Sequence, residues 1–197
     1  MNDSKKQILL TATKLFLKNS YKEVSLQDIV NEVGLTKGAF YHYYTSKNQI
    51  FGEAVKYFYN HVLISNYSNF PKTSLKEFYE SYLLKIQESD AFDDMEDDTN
   101  FFFFLSEASK KIPDFKEIHM IQRKKEFWEW TEIIETAKYN KEIKTHISNE
   151  DLAMLFLNIS DGVLLNMTLC QNDGRDLLKD IKRDWDNLYS LIKVHKK

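Results

Sequence analysis

The chain has 197 residues, 43% of them hydrophobic and 14% aromatic, enough for one ordinary domain or for a small domain joined to a larger one. Five Gly and two Pro leave too little turn chemistry for a β-sandwich or barrel, and the single Cys170 excludes an internal disulfide. The net charge of −3 speaks against a polyanion partner, but it is unevenly spread: residues 1–60 hold 8 Lys and 5 Asp/Glu, the remainder 19 Lys/Arg and 25 Asp/Glu. A small basic head on a larger acidic body hints at nucleic acid for the head alone. The start "MNDSKKQILL" lacks the pattern of a signal peptide, and the apolar run "FFFFL" is far too short to span a bilayer, so a cytoplasmic protein without a membrane partner is expected.

Nearly every segment predicts helix. Ile8, Ala12, Leu15 and Phe16 share one face of a first helix ending near Asn19–Ser20. Ser25 and Asp28 form a capping box; Leu26, Ile29, Val30 and Val33 follow as a stripe, and Gly34 stands where a helix C′ residue belongs. Thr36 caps a third short helix. Ser46 and Gln49 cap a fourth, with Ile50, Phe51, Ala54, Val55, Phe58 and Val62 as its stripe. Pro71 marks a break before a helix opened by Ser74–Glu77. The acidic run "ESDAFDDMEDDTN" reads as a solvated connection, Phe101–Lys111 as a short helix ended by Pro113, and Asp114–Tyr139 as a long one. Two further helices, Asn149–Cys170 and Arg175–His195, are split by "NDG". The fold class is therefore all-α, and any domain boundary falls within the fourth helix.

Three short helices in 45 residues, the second and third separated by "VGLT", have the spacing of a helix-turn-helix. At about 100° per residue, with Phe40 at 0°, Tyr44 lies near 40°, Lys37 near 60°, Tyr41 near 100°, Gly38 near 160° and His42 near 200°. Phe40 and Tyr44 then face a core, and the other side presents a cation, two hydrogen-bonding rings and a glycine, with Tyr43 on the flank. Such a face suits a DNA groove: Lys37 reaches a base edge or a phosphate, Gly38 admits close backbone approach, Tyr41 offers a hydroxyl for a phosphate and a ring edge for a thymine methyl, and His42 and Tyr43 donate to phosphates. Lys47 lies in the first turn of the fourth helix, whose N–H groups favour an anion, and Gln27 and Ser25 approach the backbone from the second. An exposed tyrosine face also suits a subunit contact.

The stretch "LFLKNSYKEVSLQDIVNEVGLTKGAFYHYYTSKNQIF" resembles the N-terminal signature of TetR-family transcriptional regulators, through Leu15–Phe16, Tyr21, Ser25, Asp28–Ile29, Gly34, Lys37–Gly38, Phe40–Tyr41, Tyr43–Tyr44 and Ser46–Lys47. The resemblance implies a helix-turn-helix DNA-binding domain over residues 1–48 and a larger helical ligand-binding and dimerisation domain over 49–197. Double-stranded DNA is the implied partner, contacted by Ser25, Gln27, Thr36, Lys37, Gly38, Tyr41, His42, Tyr43 and Lys47. The chain departs from the family pattern at Ser20, where glycine is usual and a left-handed Asn19 is the expected substitute, at Val30 and at Tyr44.

For the body, one stripe of Leu152, Leu155, Phe156, Ile159, Val163 and Met167 and another of Leu177, Ile181, Trp185, Leu188 and Ile192 predict a helical hairpin that pairs with a second copy in a four-helix bundle. The same stripes suit burial within their own subunit. The rings Tyr82, Phe103, Phe104, Phe127 and Trp128 are candidates for a pocket that takes an apolar or aromatic effector. No catalytic constellation, metal ligand set or cofactor motif is apparent: the five His are scattered, and the acidic run Asp90–Asp98 lacks the pattern of an EF-hand loop. Two functions remain in view, a ligand-responsive regulator, most simply a repressor released by its effector, and a helical interaction or sequestration protein that keeps the scaffold without gripping DNA.

Overall fold

The computed structural model describes residues 3–62, 67–88, 101–170 and 176–195. The described residues form helices α1 (Asp3–Lys18), α2 (Leu26–Val33), α3 (Lys37–Tyr43), α4 (Lys47–Tyr57), a π-helical turn (Phe58–Val62), α5 (Leu75–Gln87), α6 (Phe101–Lys111), α7 (Phe115–Tyr139), α8 (Asn149–Leu169) and α9 (Leu177–Ile192). The all-α class is as the periodicity predicts. Two features lie outside the described residues, the acidic run from residue 89 to 100 and the "NDG" turn.

The chain divides into two compact units, residues 1–63 with 94–118 and residues 64–93 with 119–197. The first unit is thus larger than the 1–48 head and takes in α4 and α6. Its core is built by Ile8, Ala12 and Phe16 of α1, Ile29 and Val30 of α2, Phe40 of α3, and Ile50, Phe51, Ala54 and Val55 of α4. Phe51 meets Phe16 edge-on with centroids 5.0 Å apart and Phe104 of α6 at 5.5 Å.

The local chemistry of the head follows the sequence closely. Ser25 Oγ accepts from the Asp28 N–H at 3.1 Å, and Asp28 Oδ2 accepts from the Ser25 N–H at 2.7 Å, the expected capping box. Gly34 ends α2 at φ 72, a left-handed conformation that favours glycine. Ser46 caps α4 through the Gln49 N–H, but Gln49, one carbon longer than Asp28, reaches past the cap and accepts from both the N–H and the hydroxyl of Thr45. The expected left-handed Asn19 is not found: among the described residues only Gly34 and Lys141 have positive φ. Asn19 instead donates its side chain to Leu15 O, and Glu23 accepts the Ser20 N–H, so side chains close α1 where glycine is usual.

In the second unit, Trp130 and Trp185 stand 4.9 Å apart at the centre, with Phe78, Tyr79, Leu152 and Phe156 around them. Trp185 Nε1 donates to Phe156 O at 2.7 Å and so ties α9 to α8. Glu142 caps α5 from outside, accepting from the Leu75 and Lys76 N–H groups, the Ser74 hydroxyl and the Tyr189 hydroxyl. Helix α8 is long and apolar enough by length and composition to cross a membrane, the one such helix among the described residues. Within the unit it instead turns Leu152, Ala153, Phe156, Leu157 and Met167 inward, and Asn158, Asp161 and Asn166 interrupt its apolar surface.

Candidate functional site

Helix α3 is short and carries its meaning in two faces. Phe40 and Tyr44 are each 1% exposed, whereas Tyr41 is 52% exposed and Lys37, Gly38 and His42 are exposed with it. Tyr43 is half-buried on the flank and stacks edge-on with His42 at 4.9 Å. The expected face is therefore assembled. Thr36 is committed as the cap of α3, its Oγ1 accepting from the Ala39 N–H at 3.2 Å. Ser25 caps α2 in the same manner, and Gln27 donates to Asn31 Oδ1 at 2.7 Å; both are exposed.

Nothing among the described residues explains Gly38. A Cβ built there meets only Thr36 Oγ1, at 3.9 Å, and its φ is ordinary. A glycine inside a helix costs roughly 1 kcal/mol relative to alanine. The open space beside it leaves room for close backbone approach.

Lys47 is less free than its sequence position conveys. Its Nζ lies 4.2 Å from the centroid of the Tyr21 ring, and Lys111 of α6 lies at the same distance from that ring. Burial and the neighbouring Lys111 charge hold the Lys47 ammonium below its usual pKa, with Asp28 pulling the other way. Burial, aided by Glu107, raises the Tyr21 hydroxyl. Lys111 is a cation beside the head that sequence reasoning missed, since it follows Tyr21 by ninety positions. Tyr44, where phenylalanine is usual, keeps its ring in the core with its hydroxyl unpartnered among the described residues; burial, then Glu53, pushes that group up to about 12.

The structure does not gather the five effector-pocket rings. Phe103 is 50% and Trp128 58% exposed, while Phe104 belongs to the core of the first unit between Phe51 and Phe58. Adjacent helical residues point about 100° apart, so neither Phe103 and Phe104 nor Phe127 and Trp128 can share one wall. Tyr82 and Phe127 remain, both packed against the core of the second unit. What the second unit adds is a polar cluster around the buried Glu126, with Arg123 and Asp161 partly exposed. Tyr82 donates its hydroxyl to Glu126 Oε1 at 2.6 Å, and Arg123 donates to Glu126 Oε2 at 2.9 Å and to Asp161 Oδ2 at 2.8 Å. Burial raises the Glu126 carboxyl, against the lowering pull of Tyr82 and Arg123.

The expected dimer stripes also divide. Leu152, Phe156, Met167, Ile181, Trp185 and Ile192 are buried within the subunit, so they are core and not interface. Ile159, Val163 and Leu188 are half-buried, packed on one side against that core, and are joined at the surface by Leu155 at 41% and Leu191 at 82% exposure. Together with Gly162, Ile159 and Val163 line an open groove between α8 and α9. A Cβ at Gly162 meets nothing within 4 Å.

The sequence profile described as bacterial regulatory proteins, tetR family, matches residues 8–54. Two Bacillus subtilis (strain 168) proteins, the uncharacterized HTH-type transcriptional regulators YerO and YuxN, are 36% identical over 58 residues and 38% identical over 60. Those matches span 29% and 30% of this chain and only 20% and 21% of the relatives' own length. A solved structure of a putative transcriptional regulator from Saccharomonospora viridis, in complex with choline, superposes with a TM-score of 0.76 at 16% identity and covers 99% of this chain and 100% of its own. The sequence likeness to bacterial regulatory proteins of the tetR family is thus confined to residues 8–54, while the fold of the Saccharomonospora viridis regulator is shared along nearly the whole chain.

Proposed function

We propose that the protein is a ligand-responsive transcriptional regulator, a cytoplasmic repressor that binds a pseudo-palindromic operator as a homodimer and is released by a small effector. One observation carries this reading: α3 buries Phe40 and Tyr44 and turns Lys37, Gly38, Tyr41 and His42 outward together. Residues 1–48 read the DNA, through Ser25, Gln27, Thr36, Lys37, Gly38, Tyr41, His42, Tyr43 and Lys47. Residues 49–197 bind the effector and form the dimer, without a membrane partner, a metal or catalysis. Lys37 and Tyr41 reach base edges; Ser25, Gln27, Thr36, His42, Tyr43 and Lys47 hold the phosphate backbone, which positions the head without itself reading sequence. Two heads spaced ~34–36 Å apart, or a small multiple of it, match successive major-groove faces.

The dimer forms through the outward face of α8 and α9: Leu155, Ile159, Val163, Leu188 and Leu191. Gly162 supports this, because a mid-helix glycine with open space above it admits close approach of a second backbone. The choline complex of the Saccharomonospora viridis protein supports small-molecule binding on this scaffold. A decisive switch requires that the effector prefer the released state by ~5.5 kcal/mol.

The test is duplex binding across a salt series. A regulator that grips phosphates weakens steeply with salt, whereas a sequestration protein on the same scaffold shows no duplex binding or a flat response.

A further inference from the structure

The second unit buries a carboxylate, Glu126. Glu126 is 9% exposed and lies among rings, with Tyr82 donating to one carboxylate oxygen and Arg123 to the other. Arg123 is shared with Asp161, so two carboxylates converge on a single guanidinium. A stability role alone is poorly served by this arrangement, since an apolar group of similar volume is often as stabilising as a buried ion pair. An anionic ligand finds the one guanidinium already doubly engaged.

Beside Glu126 stands Tyr82, whose ring neighbours Tyr67 and Trp130, with Phe78 next to both, at centroid distances of 5.3 to 6.4 Å. Tyr67 is 2% and Trp130 0% exposed, and neither the Tyr67 hydroxyl nor the Trp130 N–H meets a hydrogen-bond partner among the described residues. Buried polar groups left unpaired are costly, so two of them on rings that neighbour Tyr82 point to a ligand with polar atoms. Electron-rich ring faces attract a cation, and the surplus carboxylate supplies its counter-charge. The indole N–H only donates, which calls for an acceptor on the ligand as well.

We propose that this ring-walled cluster binds an organic cation that also bears an oxygen, an ammonium alcohol or a similar group, with Glu126 as counter-charge, Tyr67, Tyr82 and Trp130 as walls, and the Tyr67 hydroxyl or Trp130 N–H on the oxygen. This deepens the effector reading above and rests on it: the effector is cationic and not merely apolar or aromatic. When the cation occupies Glu126, Arg123 is left to Asp161 alone, and its link from α7 to α8 tightens.

Calorimetry on the DNA-free protein at neutral pH tests this with three probes. N,N-dimethylethanolamine, protonated, carries charge and hydroxyl; 3-methylbutan-1-ol is its neutral isostere; tetramethylammonium has charge without oxygen. The first is expected to bind roughly tenfold or more tighter than the alcohol, with tetramethylammonium between them. Glu126→Gln keeps the shape and is expected to erase the advantage of charge, while Tyr67→Phe keeps the rings and is expected to weaken the two alcohols but not tetramethylammonium. Equal binding of the ammonium alcohol and its isostere overturns the proposal, as does the absence of heat from all three at millimolar concentration. Duplex binding, measured separately, keeps the two readings apart. Cation binding by a protein that ignores DNA sinks the regulator and spares the site; DNA binding without cation binding does the reverse.

Discussion

Replacing Lys47 by Gln removes one cation per head and leaves the head's architecture in place. The α4 cap is made by Ser46, not Lys47, and Tyr21 keeps Lys111 on its ring after the change. The lost cation–π contact is worth about 0.5–1 kcal/mol at such a site, and relief from the Lys111 charge offsets part of it. Melting temperature is therefore expected to stay nearly constant. The effect on DNA is different in kind. Each phosphate contact contributes about 0.9 to the slope of log affinity against log salt, so a dimer that loses two contacts has a slope shallower by about 1.8. Between 50 and 200 mM salt, the wild-type affinity then falls about twelvefold more than that of the variant. Fluorescence anisotropy with a selected operator and a scrambled duplex reads both quantities. The loss is expected to be the same for the two duplexes, because a phosphate carries no sequence. An unchanged slope, or a loss confined to the operator, would refute the assignment of Lys47 to the backbone.

Three further outcomes are expected. Lys37→Ala and Tyr41→Phe each weaken operator binding by about 1–3 kcal/mol with unchanged circular dichroism, since both side chains are exposed; undiminished affinity in both removes this face from the operator. Leu155→Asp yields a folded monomer by light scattering, whereas Trp185→Phe keeps the dimer and loses about 1–3 kcal/mol of stability with its hydrogen bond to Phe156 O; the reverse pattern returns the interface to the buried stripe. Asp186 sits below the usual carboxylate range: burial raises it, but Lys182, the Tyr79 hydroxyl and Lys76 together outweigh burial. A depressed native pKa stabilises above the unfolded value of about 3.9 and is lost as pH falls through the native one. Asp186→Asn is therefore less stable at neutral pH, and urea denaturation shows the gap to wild type closing below about pH 4; a gap constant with pH contradicts this.

The head was legible because its instructions are local. Ser25 with Asp28, Gly34, Thr36 and Ser46 each act within four residues, and each takes the expected place. The faces of α3 follow from one period and one anchor, Phe40. Where local reasoning failed, a longer reach was responsible. Asn19 is not left-handed because Glu23 closes the turn from below, and Lys111 comes to Tyr21 from a different helix.

The body was legible as helices but not as faces. A stripe shows that a side chain is buried without showing how far, so Leu152 and Phe156, which are fully buried in their own subunit, read the same as Ile159 and Val163, which pack on it only in part. The separation emerges only when α9 is in place and Trp185 closes on Phe156. Glu126 was invisible for a related reason. Three residues after Arg123 on a charged helix, it reads as half of a solvated surface pair. Only the return of α5 brings the Tyr82 hydroxyl onto it, and only α8 brings Asp161 to the other side of Arg123. The charge that sequence places on the surface is thereby buried against the Tyr82 ring, and the effector site proposed above selects for charge where the sequence pointed to apolar or aromatic character. Glu126→Gln separates these two properties, because it removes the charge and leaves every ring where it stands.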